Sequence, residues 1–258
     1  MREQFALDGK RALVIGASNA IGRAIAVALA EAGADIAVAT ATPSKDEETA
    51  ANSCANEIWA LDRKGFAQAI ESADEADVNA LVERTVGELG GLEVLVNAHD
   101  LPFAKPAPET DFAEWRRVLD VNLGGPFLAS RAVGQRMLAE DHPGGSIINV
   151  ASVLGERGLA NGAAYCSAQA GVLNLTRALA LEWARDGVRV NAIGAGWTEG
   201  TAMVGDDESR AKLERYLPYK RLARPEEIAG IAVYLAADVS AYLTGQVVWV
   251  EGGALSHV

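Results

Sequence analysis

The amino-acid sequence predicts one α/β domain with a parallel, doubly wound sheet of about seven strands. Its 258 residues, half of them hydrophobic, are enough to build a single large buried core. Short apolar runs recur along the chain with segments of helical spacing between them. This alternation predicts right-handed crossovers and a parallel sheet that is covered by helices on both faces.

Seven short apolar runs are the predicted strands. They are Arg11 to Ile15, Asp35 to Ala39, Phe66 to Ile70, Val94 to Asn97, Ser146 to Val150, Arg189 to Ile193 and Gln246 to Val250. Long helices are predicted over Ile21 to Glu31, Ala76 to Leu89 and Ala163 to Asp186. The less regular segment 196–218 follows a late strand, so we expect it to form a lid over a site.

Composition and charge narrow the classes of partner. A formal net charge of −12 opposes binding to nucleic acid or to an anionic membrane, and it favours a small-molecule ligand. Cys54 and Cys166 lie far apart without a CxxC pattern, so neither a disulfide framework nor a zinc site is predicted. Residues 1–10 lack an apolar core and no long apolar run follows, so we expect a cytoplasmic protein.

A glycine-containing turn follows the first predicted strand and opens the first predicted helix. In that position glycines let the backbone approach a pyrophosphate, and the helix N-terminus supplies amide donors. The residues predicted to bind a dinucleotide here are Gly16, Ser18, Asn19, Ile21 and Gly22. Ala20 adds a methyl group where close approach is needed, and an ordinary strand-to-helix turn is the alternative interpretation.

The end of the second predicted strand bears on the choice of dinucleotide. NAD-binding proteins of this type usually place an acidic side chain there, against the ribose hydroxyls. This chain reads Ala39-Thr40-Ala41-Thr42 instead, with hydroxyl groups and no carboxylate. The sequence therefore predicts NADP(H) in preference to NAD(H), with Thr40 among the binding residues.

These motifs resemble those of the short-chain dehydrogenase/reductase family. The glycine turn is similar to the family's TGxxxGxG fingerprint, and Ser152 and Tyr165, thirteen positions apart, resemble its catalytic Ser and Tyr. Asn122 matches the family's structural and proton-relay asparagine. The resemblance runs from Leu7 to Gly253 and implies one Rossmann-type domain that commonly assembles as a homotetramer, or here as a tetramer or dimer.

Further positions take their expected roles from the same resemblance. Asn97 is retained from the family's NNAG turn, whereas Ala98, His99 and Asp100 replace its other residues. Glu71, followed by Ser72, matches the aspartate that touches adenine, so the resemblance implies that Glu71, Ser72 and Asn97 bind the cofactor. The threonine turn resembles that of NADPH-linked ketoacyl reductases. The residues expected near the substrate are Leu154, Glu156, Trp197 and Met203.

Gln169 occupies the position of the family's catalytic lysine, one helical turn after Tyr165. It can hydrogen-bond the nicotinamide ribose but carries no positive charge. An ammonium about 4 Å from a phenolate is worth roughly 4 kcal/mol at an effective dielectric of 20, or nearly three pKa units. We therefore expect a short-chain dehydrogenase with slow proton transfer at neutral pH and a catalytic set of Asn122, Ser152, Tyr165 and Gln169.

The predicted activity is NAD(P)(H)-dependent oxidation or reduction between a carbonyl and a secondary alcohol. One alternative is a binding or scaffold subunit that keeps the fold after catalysis has decayed. Another is a non-redox lyase, isomerase or dehalogenase, although halohydrin dehalogenases usually carry Arg where this chain has Gln169. His99 and Asp100 form either a replacement acid/base pair or a remodelled loop, and no catalytic role is predicted for His142 or His257.

Overall fold

The computed structural model describes residues 2–139 and 144–256, which form one parallel sheet with helices on both faces. The strands are β1 (Arg11–Ile15), β2 (Asp35–Ala39), β3 (Gly65–Gln68), β4 (Val94–Asn97), β5 (Gly145–Ser152), β6 (Val188–Ala195) and β7 (Val247–Val250). The helices are α1 (Ala20–Glu31), α2 (Lys45–Ala60), α3 (Glu75–Leu89), α4 (Phe112–Leu119), α5 (Gly125–Met137), α6 (Ala163–Trp183), α7 (Asp207–Tyr216) and α8 (Pro225–Ala236).

The strand order places a ligand-binding crevice near the centre of the sheet. The order is β3-β2-β1-β4-β5-β6-β7, and the direction of winding reverses between β1 and β4. In register, Ile15 lies opposite Asn97, and Asn97 lies opposite Asn149. The carboxyl ends of β1, β4 and β5 therefore meet at one edge, where open α/β sheets bind their ligands.

Each central strand buries side chains on both faces of the sheet. In β1, Ala12 and Val14 pack with the helices α1, α2 and α8, whereas Leu13 and Ile15 pack with α3, α5 and α6. The alternation follows from the two-residue period of a strand. Because both faces are buried, each strand sequence is a continuous apolar run. The alternation also determines which helices pack on each face around the crevice.

Side-chain caps define where the helices nearest the crevice begin. Asn19 caps α1 by accepting a hydrogen bond from the Gly22 backbone N–H at 2.9 Å. Asp74 caps α3 in the same way through Ala76 and Asp77. These carboxamide and carboxylate oxygens satisfy amide groups that have no partner within the helix.

The predicted class of fold and all seven strands are confirmed; β1, β2 and β4 have their predicted bounds, and the bounds of the other four strands differ. The third strand covers Gly65–Gln68, because the next backbone groups bond to a threonine side chain instead of a neighbouring strand. The long helix predicted to reach Asp186 ends at Trp183 and continues as a 3₁₀ turn. Segment 196–218 contains a 3₁₀ turn at Ala202–Val204 and the helix α7.

No helix in the described ranges is long and apolar enough to cross a membrane. Among the same residues, no group of three or more His, Cys, Asp or Glu side chains is arranged to hold a metal ion. His142 and His257, for which no role was predicted, lie outside the described residues.

Candidate active site

A cavity of about 540 Å³ opens at the carboxyl ends of β1, β4, β5 and β6. Asn19 and Ile21, at the start of α1, line one part of the cavity, and Ser152, Tyr165 and Gln169 line another. The structure therefore joins the glycine turn to the predicted catalytic residues in one continuous space.

Tyr165 donates a hydrogen bond to the carboxylate of Asp100. The distance from Tyr165 Oη to Asp100 Oδ1 is 2.8 Å, and the tyrosine side chain is buried, with 4% of its surface exposed. Burial raises the pKa of Tyr165 well above its ordinary value, and the charge and hydrogen bond of Asp100 raise it further, whereas a hydrogen bond with Ser152 lowers it. Tyr165 therefore keeps its proton and directs it at Asp100.

Asp100 lies in the turn that follows β4. Burial raises the pKa of Asp100 above its ordinary value, and the hydrogen bond from Tyr165 opposes that shift. A carboxylate that is poorly solvated accepts a proton more readily than one in water. The Tyr165–Asp100 pair can therefore pass a proton between a phenol and a carboxylate.

Ser152 and Gln169 are connected through the backbone at the end of β5. The Ser152 N–H donates to Gln169 Oε1 at 3.0 Å, and Ser152 Oγ accepts from the Leu154 N–H at 3.1 Å. Gln169 is almost fully buried and lines the cavity. Its amide thus holds the strand end that carries Ser152, a role in which it supplies no positive charge.

Asn122 lies in a π-helical turn between α4 and α5, outside the cavity lining. Its Oδ1 accepts from the Leu101 N–H and its Nδ2 donates to the Leu101 carbonyl, both at 2.8 Å. This double hydrogen bond anchors the backbone immediately after Asp100. In the structure the asparagine therefore supports the turn that presents the carboxylate to Tyr165.

His99 is separated from the Tyr165–Asp100 hydrogen bond. Its ring is buried, and neither Nδ1 nor Nε2 has a hydrogen-bond partner in the structure. Burial lowers the pKa of His99 to about 3, so the ring is neutral at physiological pH. The structure does not bring His99 and Asp100 together as an acid/base pair, because Asp100 bonds to Tyr165 instead.

The two outer glycines of the turn are required by its close packing. Gly16 has φ +88°, and a Cβ atom there would lie 2.2 Å from the Ala98 carbonyl oxygen. A Cβ on Gly22 would lie 2.2 Å from the Gly16 carbonyl oxygen. Asn19 Nδ2 also donates to the Ala98 carbonyl at 2.7 Å. These contacts hold the start of α1 next to the turn that carries Asp100.

The end of β2 differs from the sequence-based expectation. The Thr40 side chain is buried, and its hydroxyl both donates to and accepts from the Ile70 backbone, at 3.1 and 3.0 Å. Its only donor proton is therefore already used. Thr42 donates from its backbone and its hydroxyl to the carboxylate of Glu47. The end of β2 itself carries no carboxylate, yet α2 supplies one.

A sequence signal for Glu47 was present. Ser44-Lys45-Asp46-Glu47 has the spacing of a helix capping box. It places Glu47 in the first turn of the helix that follows β2. Sequence reasoning missed the residue because it considered only positions at the strand end itself.

Of the predicted binding residues, only Asn19 and Ile21 line the cavity; those outside it include Gly16, Ser18 and Gly22 of the glycine turn and three residues of later segments. Glu71 accepts from the Ala73 N–H and forms an ion pair with Arg117 at 2.8 Å. Ser72 is buried, and its hydroxyl has no hydrogen-bond partner among the described residues. The Asn97 amide donates to Asn149 Oδ1 at 2.8 Å, so it links β4 to β5 behind the cavity.

Three of the four residues expected near a substrate do line the cavity. They are Leu154, Trp197 and Met203, whereas Glu156 is not part of the lining. Thr201, which sequence reasoning did not select, also lines it. Trp197, Thr201 and Met203 come from segment 196–218, so the predicted lid segment forms one wall.

The arrangement fits a nicotinamide dinucleotide. The cavity runs from the N-terminus of α1, where amide groups can receive phosphate oxygens, to the hydroxyls of Ser152 and Tyr165. The crevice also lies at the switch point of the sheet, where this type of fold binds dinucleotides. Fold and site together define a Rossmann-type protein with the residues of a dehydrogenase.

Comparison with known proteins identifies the family. A profile of the family described as enoyl-(acyl carrier protein) reductase matches residues 16–254. D-threitol dehydrogenase from Mycolicibacterium smegmatis is 38% identical over 254 residues, which cover 96% of this chain and 94% of that protein. The chain belongs to the short-chain dehydrogenase/reductase family and is an oxidoreductase of that type.

Solved structures agree with this assignment. A short-chain type dehydrogenase/reductase from Mycobacterium marinum is 34% identical, has a TM-score of 0.89, and is matched over 98% of both chains. A related protein from Beutenbergia cavernae, whose structure holds NADP at low occupancy, is 38% identical with a TM-score of 0.87. That match covers 98% of this chain and 99% of the other.

Proposed function

We propose that the protein interconverts an uncharged secondary alcohol and its ketone, with Asp100 as the proton acceptor of Tyr165 in place of the family's lysine. The observation that carries this proposal is the 2.8 Å hydrogen bond from Tyr165 to Asp100 inside the cavity. A bound nicotinamide dinucleotide would accept hydride from the alcohol carbon or donate it to the ketone carbon.

In the oxidation direction, Ser152 and Tyr165 hold the substrate oxygen. The substrate hydroxyl passes its proton to Tyr165 Oη while Tyr165 passes its own proton to Asp100 Oδ1. The C–H bond of the alcohol breaks as hydride leaves, and a ketone and a protonated Asp100 remain. Tyr165 is protonated before and after this step, so its high pKa does not prevent the reaction.

In the reduction direction, protonated Asp100 is the source of the proton. Hydride adds to the ketone carbon, Tyr165 protonates the oxygen, and Asp100 restores the proton to Tyr165. Burial raises the pKa of Asp100, which keeps more of it protonated as the pH approaches neutrality. The same pair therefore serves as acid in one direction and as base in the other.

Three further elements support this chemistry by holding the reacting groups. Asn122 anchors the backbone after Asp100, and Gln169 anchors the backbone of Ser152. Segment 196–218 acts as a lid, since it supplies one wall of the cavity. These are positioning roles, because none of them moves a proton.

The charge of the cavity favours an uncharged substrate. Asp100 is negatively charged when ionised, and no Lys or Arg lines the cavity among the described residues. A substrate carboxylate would therefore meet an anion without a neutralising cation. A neutral polyol avoids this cost, and the D-threitol dehydrogenase to which the chain is similar suggests that class as the first to test.

The remaining expectations are proposals of the same kind. We expect a cytoplasmic homo-oligomer, either a tetramer or a dimer. The NADP(H) preference inferred from sequence stays a prediction. The related structure with bound NADP supports it, and the position of Glu47 opposes it.

The test is a hydride-transfer assay with matched neutral and carboxylate-bearing secondary alcohols, using NAD⁺ and NADP⁺ separately. We expect turnover of neutral alcohols, its loss in Tyr165→Phe, and little change in Asp186→Asn, a surface control. Preference for the carboxylate-bearing alcohols would overturn the substrate class. Full activity of a folded Tyr165→Phe variant would overturn the proposed mechanism.

A further inference from the structure

The carboxylate of Glu47 lies at the end of β2 and accepts four hydrogen bonds. Its Oε2 accepts from Ser18 Oγ, the Ala41 N–H and the Thr42 N–H, each at 3.1 Å. Its Oε1 accepts from the Thr42 hydroxyl. One half-buried side chain thus connects the first turn of α2, the end of β2 and the glycine turn.

This arrangement is not needed to start the helix. Ser44 already caps α2 by accepting from the Glu47 N–H at 3.2 Å. In a capping box the glutamate would return its carboxylate to the backbone N–H of the cap residue. Glu114 at the start of α4 does this, accepting from the Asp111 N–H at 2.9 Å. Glu47 reaches in the other direction, toward the strand end.

Within the described part of the chain, the charge on Glu47 is stabilised by hydrogen-bond donors and by no ion pair. No Lys or Arg in residues 2–139 and 144–256 forms an ion pair with it. The four donors around the carboxylate would otherwise be available to another anion. A phosphate at this point would have to displace Glu47 or lie beside it, and in both cases it would meet like charge without a cation.

A neutral hydroxyl meets the opposite situation. Oε1 accepts a single hydrogen bond within the described structure, and a carboxylate oxygen has two lone pairs. A ribose hydroxyl can therefore donate to Glu47 without displacing any of its partners. Hydrogen bonds to an ionised acceptor are the stronger kind.

We propose that Glu47 selects NAD(H) over NADP(H) by accepting the adenosine ribose hydroxyl and excluding a 2′-phosphate. The inference rests on the proposed use of a nicotinamide dinucleotide, whose adenosine ribose lies at the carboxyl end of the second strand in this type of fold. Glu47 provides from α2 the carboxylate that β2 lacks. The preference is therefore opposite to the one predicted from sequence.

The test is direct measurement of dissociation constants for NADH and NADPH by nicotinamide fluorescence at matched ionic strength. Wild-type protein should bind NADH at least about tenfold more tightly, which corresponds to about 1.4 kcal/mol. Glu47→Gln should weaken NADH binding and strengthen NADPH binding, so the ratio of the NADPH to the NADH dissociation constant should fall at least about tenfold. Glu48→Gln removes the same charge from the next, exposed residue and should leave the ratio unchanged.

Several results would overturn the inference. Tighter binding of NADPH by the wild-type protein would do so, as would an equal change of the ratio in both variants. If Glu47→Gln does not fold, the test is displacement of NADH from wild-type protein. We expect 5′-AMP to displace NADH and 2′-AMP not to do so. Displacement by 2′-AMP but not by 5′-AMP would contradict the inference. If wild-type protein binds neither dinucleotide, the proposed oxidoreductase function fails as well.

Discussion

Replacing Asp100 with asparagine separates hydrogen bonding to Tyr165 from proton acceptance. Asn and Asp have nearly the same shape, so the amide oxygen can still accept the Tyr165 hydrogen bond that spans 2.8 Å in the structure. The amide has no negative charge and does not take up a proton near neutral pH. The variant therefore keeps the hydrogen bond from Tyr165 and removes the proton acceptor.

The size of the electrostatic change follows from the distance. Two unit charges 2.8 Å apart interact by about 6 kcal/mol at an effective dielectric of 20, an upper bound of roughly four pKa units. Removing the carboxylate should lower the pKa of Tyr165 toward its ordinary value, although burial still raises it. Loss of one general base typically reduces turnover by about 10² to 10⁴, and we expect alcohol oxidation to fall within that range.

The dependence on pH distinguishes the carboxylate from the phenol. Oxidation requires ionised Asp100, so wild-type activity should fall as the pH is lowered through the raised pKa of Asp100. Reduction requires protonated Asp100, so it should fall as the pH rises through the same value. Asp100→Asn should lose both features, and its oxidation should rise only at alkaline pH, where Tyr165 ionises.

The assay is a steady-state pH profile of kcat in both directions, together with ultraviolet titration of the tyrosines. Asp186→Asn, a change on an exposed turn, is the charge-matched control. A second readout is stability. A carboxyl whose pKa is higher in the folded state than in the unfolded state destabilises the fold above the unfolded pKa, so Asp100→Asn should melt at a higher temperature at neutral pH. An unchanged pH profile in a folded variant would refute the role given to Asp100.

Two further predictions concern Gln169 and Ala20, which stand where the resemblance leads us to expect a lysine and a glycine. Gln169→Lys should lose the hydrogen bond from Ser152 and some thermal stability. Combined with Asp100→Asn, its ammonium should restore part of the lost alcohol oxidation. Asp100→Asn combined with Gln169→Met is the uncharged control, and equal activity of the two double variants would count against the prediction. Ala20→Gly should lower the dissociation constant for the dinucleotide several-fold, because it removes the methyl group at the start of α1. The change should destabilise the helix by up to about 1 kcal/mol. An unchanged dissociation constant in a folded variant, measured by fluorescence titration, would contradict this prediction.

The sequence by itself determined the fold and predicted the central residues of the candidate site. Strand and helix periods are local properties, so the alternation of apolar runs was sufficient to predict a parallel doubly wound sheet. The Gly22 position is equally local, since a Cβ atom there would lie 2.2 Å from the Gly16 carbonyl oxygen of the same turn. The spacing of Ser152 and Tyr165 placed both hydroxyls at the same edge of the sheet, and the structure brings them to one cavity.

Only the tertiary structure decided which polar groups act together. Asp100 and Tyr165 are 65 positions apart in sequence, and Ser18 and Glu47 are 29 apart, so neither contact follows from a local pattern. Burial is also a property of the packed chain, and it makes His99 a neutral ring although it stands next to Asp100 in sequence. Because pKa values and hydrogen-bond partners depend on surrounding solvent and charge, the proposed proton acceptor and the carboxylate at the end of β2 could be identified only from the assembled strand ends.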